Sequence, residues 1–282
     1  LANTISNAFV SEFKANVYQL SQQRGSRLGD KVRVESLLGN TYNFERLAKV
    51  AAQTKVSRHA DTPVLDAPHS RRAVSPTDKE WGDLVDREDK LRLLISPESE
   101  YAVAGAMALG RAKDDLIIAA ALGNATDGAG ASVALPAGQK NALAASMTLV
   151  HLLNAQQLLN ANDVYDEGRT LVYGSKQLRD VLQLAAVTSA DYNVQRSLAS
   201  GQVASFLALD WVRSERLTLT LTTRSCFMFQ KMAMGLAINE DMFSFILQRP
   251  DKSGAWQVYC RMTMGATRIE DEGVVQMDTT ET

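Results

Sequence analysis

The sequence predicts an α+β chain, and three observations carry that reading. An unbroken helical stretch opens at Ser96-Pro97 and runs to about Leu122. A long alternating β-hairpin follows at residues 243–247 and 256–264. Between the two, residues 142–240 mix helical periodicity with short apolar runs. A helix with one uncharged stripe and a hairpin with one apolar face each need a cover, and each can serve the other.

Residues 1–30 read as an N-terminal arm. Ile5, Phe9, Phe13 and Val17 recur every four residues, the spacing of a short amphipathic helix, before Arg24-Gly25-Ser26-Arg27 and Gly29-Asp30 break it. So short a helix is marginal alone and needs a surface, with Phe9 and Phe13 as its docking residues. Val32 and Val34 alternate with charged residues, and Thr41-Tyr42-Asn43-Phe44 has strand character. From about 48 to 80 the bulky apolar residues are isolated (Val50, Val56, Val64, Leu65, Val74), and Pro63, Pro68 and Pro76 forbid a continuous helix. The stretch is an extended excursion without a core of its own.

Charge along this region is asymmetric. Arg46, Lys49, Lys55, Arg58, Arg71 and Arg72 meet only Asp61 and Asp66, whereas Asp78, Glu80, Asp83, Asp86, Glu88 and Asp89 meet only Lys79 and Arg87. Two readings stay open at this point. Either these are two solvated surfaces, or a basic hairpin with Arg58, Arg71 and Arg72 reaches an acidic patch with Asp83 and Asp86 on a neighbouring copy.

In the long helix, Ser96 caps, Pro97 suits the first turn, and Glu98 and Glu100 suit the positive end. Tyr101, Gly105, Leu109, Ala112, Leu116 and Ala119 fall on one uncharged arc, with Arg111, Lys113, Asp114 and Asp115 off it. A glycine-rich stretch from Gly123 to Ala131 ends the helix and opens a loop to about Asn141. It has neither GK[ST] nor GxGxxG placed between strand and helix, so it is not a phosphate loop. A helix at about 144–160 places Met147, Val150, Leu153 and Leu158 as core residues. Leu171-Val172-Tyr173 is a short strand, Ser175 caps a helix with Leu178, Val181, Leu182 and Ala185, and residues 206–212 form a buried strand. Gly174-Ser175-Lys176 lacks the second glycine of a nucleophile elbow. In the hairpin, Phe243, Phe245 and Leu247 share a face. After the turn at 250–254, Trp256, Val258, Cys260, Met262 and Met264 form a second apolar row, and a last strand centres on Val274-Val275 and Met277.

Composition narrows the function. The 282 residues are 45% hydrophobic and 22% charged, with net charge −2 and pI near 6.0, so no global basic field exists to grip nucleic acid. No apolar run spans a bilayer, and residues 1–7 lack the features of a secretory signal. The start lacks an initiator Met and is expected to be processed or trimmed. Cys226 and Cys260 make no CxxC pair and are expected to be buried free thiols in a reducing cytoplasm. His59, His69 and His151 show no HxxxH or HExxH spacing. No catalytic, cofactor or metal residue is assigned.

Several segments carry a resemblance that spans the chain. They are Ala2-Asn3-Thr4-Ile5-Ser6-Asn7-Ala8-Phe9, Gly110-Arg111 with Asp114-Asp115-Leu116-Ile117-Ile118, and Thr188-Ser189-Ala190-Asp191-Tyr192. Two more are Asp210-Trp211-Val212-Arg213 with Glu215-Arg216-Leu217, and Met264-Gly265-Ala266 with Arg268-Ile269-Glu270 and Glu272-Gly273-Val274-Val275. Together, in this order, the sequence resembles the major capsid proteins of tailed bacteriophages, with the Hong Kong 97-type fold.

The resemblance implies an N-arm at 1–30, P-domain segments at 31–38, 81–141 and 243–282 with a spine helix at 97–122, an E-loop at 39–80 and an A-domain at 142–242. It implies a non-enzymatic shell protein without cofactors, forming hexamers and pentamers of an icosahedral virion assembled in the host cytoplasm. The partners it implies are further copies, double-stranded DNA held without sequence specificity, a portal protein and no membrane. The short arm adds a separate scaffolding protein, and a decoration protein is an optional partner. Some members join an E-loop lysine to a neighbour's asparagine. Lys49 and Lys55 lie in the corresponding stretch, but the motif and buried acid for that chemistry cannot be located, and no cross-link is expected. A nanocompartment shell of the same fold is the alternative, followed distantly by a soluble α/β hydrolase-like enzyme.

Overall fold

The computed structural model describes residues 22–36, 38–59, 61–62, 64–85, 97–142, 145–183 and 205–281, with backbone alone at 97–100, 142 and 205–206. The expected arm helix with Phe9 and Phe13, the acidic Asp86, the Ser96 cap and residues 188–192 lie outside them. In chain order the strands are β1 (Arg33–Ser36), β2 (Tyr42–Leu47), β3 (His69–Val74), β4 (Thr77–Val85), β5 (Ala125–Asp127), β6 (Ser132–Val133), β7 (Lys140–Ala142) and β8 (Arg169–Tyr173). They continue with β9 (Ser205–Phe206), β10 (Leu209–Arg213), β11 (Leu219–Thr220), β12 (Thr223–Gln230), β13 (Met234–Arg249), β14 (Ala255–Arg268) and β15 (Val274–Thr280). The helices are α1 (Pro97–Leu122), α2 (Leu149–Ala161) and α3 (Ser175–Leu182). The chain divides into two compact units, one of Leu1–Ser26, Thr77–Lys113 and Glu240–Met264, the other of Arg27–Pro76, Asp114–Asn239 and Gly265–Thr282.

In the first unit β4 pairs antiparallel with β14, Thr77 opposite Met264 and Val85 opposite Trp256, and β13 lies along β14's other side. Val258, Cys260, Met262 and Met264 are buried, as their alternation predicts. The first part of α1 covers this face. Gly105 is the point of closest approach: a Cβ there would lie 2.6 Å from Cε3 of Trp81 and 2.9 Å from Sγ of Cys260. The two apolar rows of the hairpin do not share a face. Phe245 stacks obliquely beside Tyr259 (centroids 5.0 Å apart) and the Arg261 guanidinium lies over Phe243 (5.6 Å), so this row stands on the polar side. Cross-strand register, set through the turn at 250–254, decides the face, and alternation within one strand cannot.

The second unit is built on a mixed sheet in the order β7-β15-β12-β8-β10-β9, with β11 added to β12. Its centre, β8 and β12, is packed on both faces; Leu171, Val172, Phe227, Met228 and Phe229 are fully buried. A strand buried on both faces has no alternation, which is why the sequence reading passes over Thr223–Gln230. Helix α2 begins at Leu149, later than expected, after Thr148 as N-cap. Met147 is buried as expected, but Leu152, Ala155 and Leu159 form the core row, while Val150 and Leu153 are exposed. Leucines occur all round this helix, so the sheet selects the face. Ser175 is the first helical residue of α3 and no side-chain cap; the Glu215 carboxylate accepts its N–H at 2.7 Å instead. The expected buried strand at 206–212 is a tight hairpin of β9 and β10, with Leu207 and Ala208 at positive φ.

A second, smaller sheet in this unit runs β2-β3-β5-β6. Phe44, Val74, Ala237 and Ile269 form its core, and Gly235 leaves room for the Phe44 ring, which a Cβ would meet at 2.5 Å. The described residues among 48–68 hold no strand or helix, and the segment is closed at the base by Ala48 N–H donating to the Pro68 carbonyl (2.9 Å). Val50, Val56, Val64 and Leu65 along it are exposed, as a stretch without its own core should be. The glycine-rich stretch is not a free loop. It is the β5–β6 hairpin, whose turn is closed by Asp127 Oδ1 accepting the N–H groups of Ala129 and Ala131 at 2.9 and 2.8 Å.

Candidate functional site

Several charged residues of the resembling segments sit in braces within the chain. Asp114, placed by helical periodicity on the charged side of α1, is fully buried, and its carboxylate accepts the N–H groups of Arg27 (3.0 and 3.1 Å) and Leu28 (3.1 Å). Asp115 is paired with Arg216, and Arg27 donates to the Arg213 carbonyl at 2.6 Å. Gly110 allows the backbone of Gly25 and Ser26 to cross the helix; a Cβ there would meet Gly25 Cα at 2.7 Å.

The densest brace is at Asp271. Arg268, fully buried, donates Nε–H to Asp271 Oδ1 at 2.6 Å, and buried Arg72 donates to Oδ2 at 2.5 Å. The Arg268 guanidinium also donates to the carbonyls of Gly123 (2.6 Å), Ala121 (3.3 Å) and Val133 (3.0 Å). Helix α1 has no basic residue in its last turn. Arg268 supplies from a distant strand the cation that the negative helix end favours. One carboxylate thus joins the end of α1, the β5–β6 hairpin, β3 and the turn into β15. No local signal marks these roles, since Arg72 and Asp271 are 199 residues apart.

This corrects the place of Arg72 among the expected interface residues: it is spent inside the chain. Arg58 and Arg71 are exposed in the second unit, Arg71 holding Glu45 at 2.8 Å across the β2–β3 pair. Asp83 is exposed on β4 in the first unit, its Oδ1 accepting the Leu84 N–H at 2.8 Å.

The groups that could do chemistry are placed for structure. Cys226 is buried and its thiol is pushed up to about 12 by desolvation; burial also raises Cys260. His151 lies buried at the start of α2, where its Nδ1 accepts the Thr148 N–H (3.2 Å) in a reciprocal cap. Glu281 is held below the ordinary carboxylate range by its hydrogen bond to Arg224, which raises Arg224 in turn. An open cleft of about 620 Å³ runs beside Leu47, Lys49, Pro136, Ile269 and Glu272. Lys49 reaches Glu272 and Asp163 at 3.7 and 3.9 Å, and its walls hold no nucleophile paired with a base. Among the described residues no cluster of His, Cys, Asp or Glu is placed to hold a metal, and no helix is long and apolar enough to cross a membrane.

Comparison with known proteins agrees with such an arrangement. A family model described as phage capsid protein matches residues 5–281. No curated protein matches the sequence. Among solved structures, the capsid of the cyanophage P-SCSP1u superposes with TM-score 0.77 at 14% identity, covering 100% of this chain and 96% of that one. A chain of Mycobacterium phage Che8 gives 0.72 at 20% identity, with 95% and 97% covered. The capsid of Ralstonia phage GP4 gives 0.73 at 10% identity, with 100% and 98% covered. Identities this low speak for the fold alone.

Proposed function

We propose, from the premise that this chain belongs to the phage capsid protein family, that it is the major capsid protein of a tailed bacteriophage. In this reading copies assemble as hexamers and pentamers into an icosahedral shell around double-stranded DNA. Helix α1 is the spine, and residues 31–38, 81–141 and 243–282 make the P-domain of a Hong Kong 97-type fold. Residues 39–80 are the E-loop, 142–242 the A-domain and 1–30 the N-arm. A heterologous contact that closes into a ring serves five or six members, and many weak contacts hold each subunit.

The observation that carries the reading is how the residues are divided. Buried charges are consumed by braces such as Arg72–Asp271–Arg268, while Val50, Val56, Val64, Lys55 and Arg58 stand in the open. That suits a subunit whose remaining surface is completed by its neighbours. Arg58 and Arg71 would then meet an acidic patch including Asp83 on the next copy, fixing register more than adding affinity. A net charge of −2 suits a wall that encloses DNA without gripping it. A scaffolding protein, a portal and an optional decoration protein complete the partners, with assembly in the host cytoplasm.

Electron microscopy of the chain, expressed with and without its neighbouring genes, tests this. Closed shells, or rings of five and six, are expected, and DNA inside separates a virion from a nanocompartment. A persistent compact monomer under both conditions overturns the reading. Arg58→Glu with Arg71→Glu should impair assembly while leaving the subunit's circular dichroism unchanged.

A further inference from the structure

We propose that residues 240–249 of β13 are a pairing edge for the same strand of a second copy, across a two-fold axis perpendicular to the sheet. The inference rests on the shell reading only in supposing that copies meet. On one side β13 is bonded to β14; on the other, β1 pairs with it from Gly235 to Ile238 and no further. Among the described residues nothing pairs with the outer edge of 240–249. Met242, Phe243, Ile246 and Leu247 are 48%, 47%, 38% and 56% exposed along it. Soluble chains blunt such edges with lysine or proline, and this stretch, Glu-Asp-Met-Phe-Ser-Phe-Ile-Leu-Gln-Arg, has neither.

The sequence of the edge selects its occupant. A two-fold axis perpendicular to the sheet pairs the strand antiparallel with itself and keeps each side chain on its own face. Only residues of equal parity can then face one another. With Phe245 on the axis, Phe243 faces Leu247 and Asp241 faces Arg249, each pair occurring twice. With Ser244 on the axis, Asp241 faces Leu247 and no charges pair. With Ile246 on the axis, Phe243 faces Arg249 and Asp241 is set against the turn beyond the end of β13, so no charges pair along the strand. One register is therefore complementary in both charge and apolar contact. Its apolar pairs stand on the face already carrying Phe245 against Tyr259 and Arg261 over Phe243, so joining two copies extends that strip. Arg249 is half-exposed, and its guanidinium is engaged within its own chain, donating Nε–H and Nη2–H to Asp251 (2.8 and 2.7 Å) and Nη1–H to Gln257 (2.8 Å), so the pair with Asp241 of the second copy re-aims this fork from Asp251.

Cysteine scanning under mild oxidation tests the register in the full chain, with Cys226 and Cys260 silent because both are buried. Phe245→Cys should give a disulfide-linked dimer within the particles, since directly opposed Cβ atoms lie about 5 Å apart. Ser244→Cys should not. Shells in which Phe245→Cys stays unlinked, or in which Ser244→Cys links instead, overturn this contact and leave the shell reading intact. Absence of shells with a linked Phe245→Cys dimer does the reverse, and absence of both overturns both. Charge exchange gives a second route should Phe245→Cys not fold. Asp241→Arg and Arg249→Asp should each weaken the contact on the order of tenfold, and combining them should restore it. A double variant no better than the singles overturns the pairing.

Discussion

Replacing Asp271 by alanine leaves two buried guanidiniums, Arg72 and Arg268, without their carboxylate. Arg268 keeps three carbonyl acceptors, whereas Arg72 Nε has no partner of its own. Two charge-assisted hydrogen bonds at about 1.5–3 kcal/mol each set the scale. Breaking a buried pair from one side costs about 3–5 kcal/mol, because the remaining charge is uncompensated. A loss of about 4 kcal/mol is expected, or roughly 10 °C in Tm for a unit of this size. The assay is thermal unfolding of the free subunit followed by circular dichroism. The double variant Asp271→Ala with Arg72→Met should be more stable than Asp271→Ala alone, since it removes the stranded charge. An Asp271→Ala chain melting within about 2 °C of the parent would refute the brace, the equivalent of less than about 1 kcal/mol.

Three further outcomes follow from the same geometry. Gly105→Leu should prevent folding of the unit that holds it, since even a Cβ meets Trp81 at 2.6 Å. Gly105→Ala should cost about 1–2 kcal/mol, overpacking outweighing the gain in helix propensity; soluble, assembling Gly105→Leu protein would show that this face is not packed. Cys226, with its thiol at about 12, should resist a thiol reagent at about pH 8 in the native chain and react fully once denatured; rapid native labelling contradicts its burial. Glu281, held low by Arg224, contributes stability present above the ordinary glutamate range and lost as pH falls through its depressed folded value. Glu281→Gln should therefore flatten the acid limb of the stability profile, and an unchanged limb removes Glu281 from that role.

Helix α1 was legible because its boundaries are local: Pro97 at the first turn and Gly123 after the last helical residue bracket it whatever it packs against. Alternation did the same for Val258, Cys260, Met262 and Met264; the scarcity of apolar residues marked 48–80 as lacking a core, which suits the exposed Val50, Val56, Val64 and Leu65 but not 69–80, where β3 and β4 pair into sheets and Val74 is buried.

What the tertiary structure decided lies beyond any local window. Phase is one part: Leu152 rather than Leu153 faces the core, because a helix with leucines all round takes its face from the sheet it meets. Burial on both faces is another, erasing the period that would have revealed β12. The braces are the third. Asp114 and Arg72 read as surface charges and prove buried, since their partners at Leu28 and Asp271 stand 86 and 199 residues away. A charge taken out of water needs a partner at hydrogen-bond distance, and only the folded chain brings such partners together.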